Sequence, residues 1–217
     1  MESEQERCRL VLIVPKIEDA NAQEKLLGDA LRGGDVASVI LPQYDEAFDA
    51  FQARAERIVP LIQNYDAAAL IAGDTRVVGR VKADGIHIEG GAPEIAEAVE
   101  RFAPRMIVGG GNAKERHQAL EIGEANPDYI FFGLLDGDTH ANTHPKNLEL
   151  GEWWASMVEI PCIVMGGSEP ASAVEVAHTW AEFVALGRAV FEAPGGPAAM
   201  VAQINAALDE KAPRFEY

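Results

Sequence analysis

Positive charge is scarce in this chain: 18 Lys and Arg stand against 35 Asp and Glu, a formal net charge of −17 over 217 residues. Nucleic acid and anionic membranes are held by Lys and Arg that replace the counterions of phosphate. The balance argues against both as partners. Cysteine is nearly absent. Cys8 and Cys162 each sit inside an apolar run, and they read as buried thiols, not as a disulfide framework or a zinc site. No apolar run approaches the ~20 residues that span a bilayer. The opening residues, Met1 to Arg7, are charged and lack an apolar signal-peptide core. These absences point to a cytoplasmic protein. No linker or low-complexity stretch divides the chain, so a single domain over 1–217 is expected.

Hydrophobic residues make up 48% of the sequence, enough for a large core. They come in short runs: Leu10–Val14, Val36–Leu41, Ala68–Ala72, Gly85–Ile88, Arg105–Val108, Tyr129–Phe132, Pro161–Met165 and Phe183–Leu186. Stretches of helical character separate them, among them 20–31, 45–64, 75–82, 93–102, 113–124, 148–158, 171–181 and 198–208. Continuous rather than alternating apolar character marks strands buried on both faces, as in a parallel sheet covered by helices. Eight strand–helix units favour closure into a (β/α)8 TIM barrel, a fold that starts near about 200 residues. A doubly wound open sheet is the alternative.

Two loops carry the strongest local signal. The seventh run ends in Gly166-Gly167-Ser168 and the eighth in Gly187-Arg188. Barrels that hold phosphate esters do so after strands seven and eight, beside a short extra helix. Glycines let backbone N–H groups approach the oxygens, and N–H groups at a helix start carry partial positive charge. Gly166, Gly167, Ser168, Gly187 and Arg188 are therefore the expected phosphate-binding residues, and a small phosphorylated ligand is the expected partner. The bland alternative is a pair of tight turns. Gly109-Gly110-Gly111 lacks the spacing of a dinucleotide fingerprint.

Candidate catalytic groups follow from position. Asp74 lies past the third strand, where it would be a metal ligand or base, or else a helix cap. His87, in the fourth strand, would be a base near the ligand or a core histidine. Glu89 shares its face and would complete an acid/base couple. The polar stretch 136–147 reads as a solvated lid. Its Asp136, Asp138, His140 and His144 match no defined metal spacing. Of Trp153 and Trp154, one is expected to pack inward and the other toward a second copy of the chain, which would make a homo-oligomer.

Ala83-Asp84-Gly85-Ile86-His87-Ile88, Pro127–Gly133, Ile160–Gly167 and the eighth strand together resemble the thiamine phosphate synthase family and its thiazole tautomerase relatives. The resemblance covers nearly the whole chain. It implies joining of an aminopyrimidine diphosphate to a thiazole phosphate, with Mg2+ and release of pyrophosphate. It also implies that Gly166, Gly167, Gly187 and Arg188 surround the thiazole phosphate. The family's diphosphate-gripping residues are largely missing. Its Gln-x-Arg-x-Lys pattern falls on Ile40, Pro42 and Tyr44, and its Asn-Asp on Gly73 and Asp74. Its second metal carboxylate falls among Gly90, Gly91 and Ala92, with Glu89 nearby. Its Ser or Thr and His fall on Gly111, Asn112 and Ala113, and its Thr-x-Thr-Lys near Asp138, Thr139, His140 and Ala141. Arg76, Arg80 and Lys146 are the cations left to substitute. Three functions stay open: the synthase with altered residues, an isomerase or tautomerase of a phosphorylated heterocycle, and a barrel that binds such a ligand without turnover.

Overall fold

Runs of Val, Ile, Leu and Ala without polar alternation can be buried on both faces, and that requirement closes the sheet. In the computed structural model, which describes residues 6–215, parallel strands form a closed ring in chain order. They are β1 (Arg9–Ile13), β2 (Ser38–Pro42), β3 (Ala68–Ala72), β4 (Gly85–Ile88), β5 (Ile107–Gly110), β6 (Tyr129–Phe132), β7 (Cys162–Met165) and β8 (Phe183–Leu186). β8 returns to β1 with Ala185 opposite Val11, which completes the (β/α)8 barrel and excludes the open sheet. The outer layer holds α1 (Ala20–Leu31), α2 (Phe48–Gln63), α3 (Arg76–Val81), α4 (Ala92–Phe102), α5 (Arg116–Glu124), α6 (Pro145–Met157), α7 (Ser172–Ala177) and α9 (Pro197–Lys211). A four-residue helix, α8 (Arg188–Phe191), follows β8. Among the described residues no helix is long and apolar enough to cross a membrane.

Each strand divides its side chains between two cores. Leu10 and Leu12 pack toward the helices, whereas Val11 and Ile13 face the barrel axis with Ile40, Leu70, Phe131 and Met165. The interior is filled unequally, because β6 contributes two large rings, Tyr129 and Phe131. The neighbouring strand gives way: a Cβ on Gly109 would collide with the Tyr129 ring, and one on Gly110 with the Ile88 backbone. This moves β5 to Ile107–Gly110, two residues later than the apolar run 105–108 predicts. The glycines there belong to the strand, not to a loop after it.

α6 also differs from expectation. It begins at Pro145, not Leu148, because His144 caps it: the His144 ring accepts the Lys146 N–H at 3.2 Å, and Pro145 suits the first turn. His144 is thereby a structural cap. Two turns later Trp154 is fully buried; its indole N–H donates to the Ile160 carbonyl at 2.7 Å and its ring meets Phe132 edge-on. Trp153 lies at the surface of this cluster, under the Arg116 guanidinium.

Trp154→Ala removes the largest fully buried side chain and orphans the Ile160 carbonyl. We expect a loss of about 3–5 kcal/mol of stability, read as a lower urea midpoint with an unchanged slope. A loss below about 1 kcal/mol would show that the α5–α6 layer does not depend on this ring.

Candidate functional site

The C-terminal ends of the strands form a mouth roofed by two segments. After β2, Tyr44 adopts a left-handed backbone (φ 52°) and its hydroxyl donates to the Val14 carbonyl at 2.8 Å. The tyrosine thus spans from β2 to the end of β1. After β6 the chain turns at Gly133, and Leu135 closes the top of the interior core. One cavity of about 360 Å³ opens between them, lined by Ile13, Tyr44, Leu135, Asp138, Gly187 and Arg188 among others. Another of about 320 Å³ lies on the far side of Tyr44 and Leu135 and includes Gln43, Gly73, Glu89 and Asp136.

The two glycine turns reach this mouth together, as parallel strands of one barrel must. Several of their amides are already employed. Ser168 N–H donates to the His140 carbonyl at 2.8 Å and Glu169 N–H to the Ala141 carbonyl at 3.2 Å. Gly167 packs so tightly against Ala141 and Asn142 that a Cβ there would overlap both. At the end of β8, Arg188 N–H donates to Asp138 Oδ2 at 2.6 Å, and Arg188 Nε lies 3.5 Å from Oδ1. A Cβ on Gly187 would stand 3.0 Å from the same carboxylate. Asp138 is 3% exposed, while the Arg188 side chain stays half-exposed and also reaches Glu192. The anion at the expected phosphate position is therefore the chain's own. The stretch 136–147 is exposed along most of its length, and it is fastened through buried Asp138 and Thr143 and the carbonyls of His140 and Ala141.

The expected acid/base residues separate. His87 points into the barrel, 2% exposed, with Nδ1 2.9 Å from the Tyr129 hydroxyl and its ring edge-on to Phe131 at 5.0 Å. This corrects the catalytic expectation: a sealed ring does not reach a ligand. Burial holds its pKa down to about 3, so the imidazole is neutral. Asp74 accepts the Arg76 N–H at 2.9 Å and pairs with its guanidinium at 2.6 Å. That arginine pulls the Asp74 carboxyl down to about 2, which makes it a poor base. Glu89 alone of the three faces the mouth with its carboxyl turned to ligand-accessible space. It is exposed, yet its pKa is raised, first by partial desolvation and then by the charge of Asp136.

The Mg2+ implied by resemblance does not fit these residues. Mg2+ keeps several waters and is held by one or two carboxylates together with substrate phosphates, so at least one carboxylate must be free to take it. Both Asp74 oxygens are committed to Arg76, and among the described residues no three His, Cys, Asp or Glu side chains are placed to share an ion.

Two site residues escaped the sequence reading. Asp138 was legible only as one carboxylate in a polar loop; nothing local marks it as the group that meets Arg188, fifty positions away in sequence. Tyr44 was legible only as a departure from a cationic pattern. Burial, with Asp136, Asp138 and Glu89 adding to it against Arg54, pushes its phenol up to about 12. Both residues are defined by what other strands bring to the mouth.

A model of the family described as thiamine monophosphate synthase matches residues 10–190. A thiamine-phosphate synthase of Rhodospirillum centenum is 33% identical over 199 residues, covering 91% of this chain and 96% of the relative. One from Hyphomonas neptunium is 32% identical over 212 residues, covering 95% and 96%. Among solved structures, a thiamine phosphate pyrophosphorylase from Pyrococcus furiosus superposes with a TM-score of 0.76 at 22% identity, over 95% of this chain and 98% of that one.

His87 generates a pH prediction. The unfolded chain protonates its histidine near 6.5, the folded ring only near 3. Its contribution to stability is full above the unfolded value and is lost as pH falls from about 6.5 toward 3. Between pH 7.5 and pH 5 the loss from this group is on the order of 2 kcal/mol. His87→Gln, which keeps a partner for Tyr129 and does not titrate, should lose about that much less than the parent over the same range. Equal losses would mean that the ring is protonated in the fold.

Proposed function

We propose, for a chain that belongs to the thiamine monophosphate synthase family, that it is a transferase of that family's type, joining an aminopyrimidine diphosphate to a thiazole phosphate with release of pyrophosphate. One observation carries the reading at the level of residues. The turn that ends β8, Gly187-Arg188, presents a main-chain N–H and a guanidinium to a single anion-sized position at the edge of an apolar-floored cavity. A phosphate monoester on a small heterocycle makes those two demands. Ile13, Tyr44 and Leu135 supply surface for the ring, while Gly166, Gly167 and Ser168 follow the adjacent strand β7 and lie under the 136–147 stretch. Glu89, with its raised carboxyl, is the group we assign to proton transfer at the mouth. Buried Cys8 and Cys162, both free, agree with a cytoplasmic setting, and the acidic surface agrees with small-molecule partners only.

A second reading, a barrel that binds the phosphorylated heterocycle without turnover, is favoured by the charges at the mouth. A departing diphosphate needs cations to take up its charge, and removing one such donor costs on the order of 10²–10³ in rate. Arg76 is paired with Asp74 and lies over the Phe48 ring at 4.5 Å. Arg80 shares that ring and donates to Gln52 at 2.7 Å. The cavity on the far side of Tyr44 presents Glu89 and Asp136, and the cations of the other cavity, Lys16 and Arg188, are paired with Asp45 and Asp138.

The purified protein, given the two thiamine precursors with and without Mg2+, separates these readings. Transferase function predicts thiamine phosphate and stoichiometric pyrophosphate, and Arg188→Ala should raise the KM for the thiazole phosphate about tenfold or more, the worth of a charge-assisted hydrogen bond. Absence of pyrophosphate under both conditions, with calorimetric binding of thiazole phosphate retained, would replace the first reading by the second.

A further inference from the structure

The segment between β6 and α6 is fastened along its length to the two turns that end β7 and β8. Asp138 meets Arg188 through one main-chain and one side-chain contact. The carbonyls of His140 and Ala141 take the N–H groups of Ser168 and Glu169. Thr143 N–H donates to Glu175 Oε2 at 2.9 Å, and its hydroxyl lies 3.4 Å from the Ser172 carbonyl. Asp138 and Thr143 are buried, whereas Gly137, Thr139, His140, Ala141 and Asn142 between and beside them are exposed. The strap thus buries two side chains, Asp138 and Thr143, and the solvent-facing span between them is held by its His140 and Ala141 carbonyls.

We propose that Asp138 is an internal anion that keeps this strap closed, and that a phosphorylated ligand enters only by displacing it. The inference rests on the phosphate position proposed above and adds its regulation. A carboxylate and a phosphate oxygen ask for the same donors at nearly the same distance. Two anions side by side in a partly dehydrated pocket repel strongly, so the position admits one at a time. Burying the Asp138 charge is costly, and the Arg188 N–H and guanidinium offset that cost only while the strap is shut. Arg188 remains half-exposed and turned to the cavity, so its charge stays available to an incoming anion. Asp138 therefore sets the threshold affinity that a ligand must exceed, and it excludes weakly binding free phosphate.

The test uses the full-length protein, Asp138→Asn and Asp138→Ala, with amide hydrogen exchange and calorimetric titration of inorganic phosphate and of thiamine phosphate. Asp138→Asn keeps the side-chain volume and one acceptor oxygen, so it carries the experiment if the alanine variant folds poorly. Expected are tenfold or greater increases in exchange at Ser168, Glu169 and Arg188, and tenfold or tighter binding of both probes than by the parent. Unchanged exchange, or parent binding as tight as that of the variants, overturns the strap. Faster exchange with no binding of either probe by any of the three proteins removes the phosphate position instead, and the displacement falls with it; the exchange data distinguish that result from the previous one.

Discussion

A carboxylate with almost no exposure sits against Arg188, an arginine that lines the mouth of the barrel. The Asp138–Arg188 contact determines what the mouth can accept. It exists because closure of the ring brings the end of β8 next to β7, and β7 next to β6, so that a segment leaving β6 can lie across both turns. In a molecule of net charge −17 a mobile anion has little reason to approach. An anion built into the chain overcomes that field at no cost in association.

The interior imposes the second constraint. A parallel ring of this size must be filled by side chains. Here Tyr129, Phe131 and His87 do much of the filling, with Gly109 yielding space to the Tyr129 ring. A histidine used as filler is desolvated and held neutral, with one hydrogen bond to a tyrosine. Ionisable chemistry is thereby displaced outward, to Glu89, Asp136 and Tyr44 at the rim, where solvent still reaches. Catalytic groups of such barrels collect at this face for the same reason.

Much of the architecture was legible in the residues. Continuous apolar runs place β3, β4, β6 and β8 at their observed bounds, and α1 runs from Ala20 to Leu31 as its helical character predicts. Two of the elements that differ do so for separate reasons. β5 shifts because glycines that look like a loop answer to an aromatic ring on the next strand, and α6 starts early because His144 works as a cap. At the site, strand order put Gly187 and Arg188 at the same mouth as Gly166 and Gly167, which chain position alone foretold. What occupies that mouth was not legible. Contacts between residues as distant as Asp138 and Arg188, or Tyr44 and Val14, leave no local periodicity to read.

The most direct measurement is a crystal structure of the unaltered protein soaked with thiamine phosphate. The account requires the phosphate oxygens to accept from Arg188 N–H, with the Asp138 carboxylate swung out and the 137–142 span lifted from Ser168 and Glu169. A ligand bound elsewhere, with Asp138 still seated on Arg188, would contradict it.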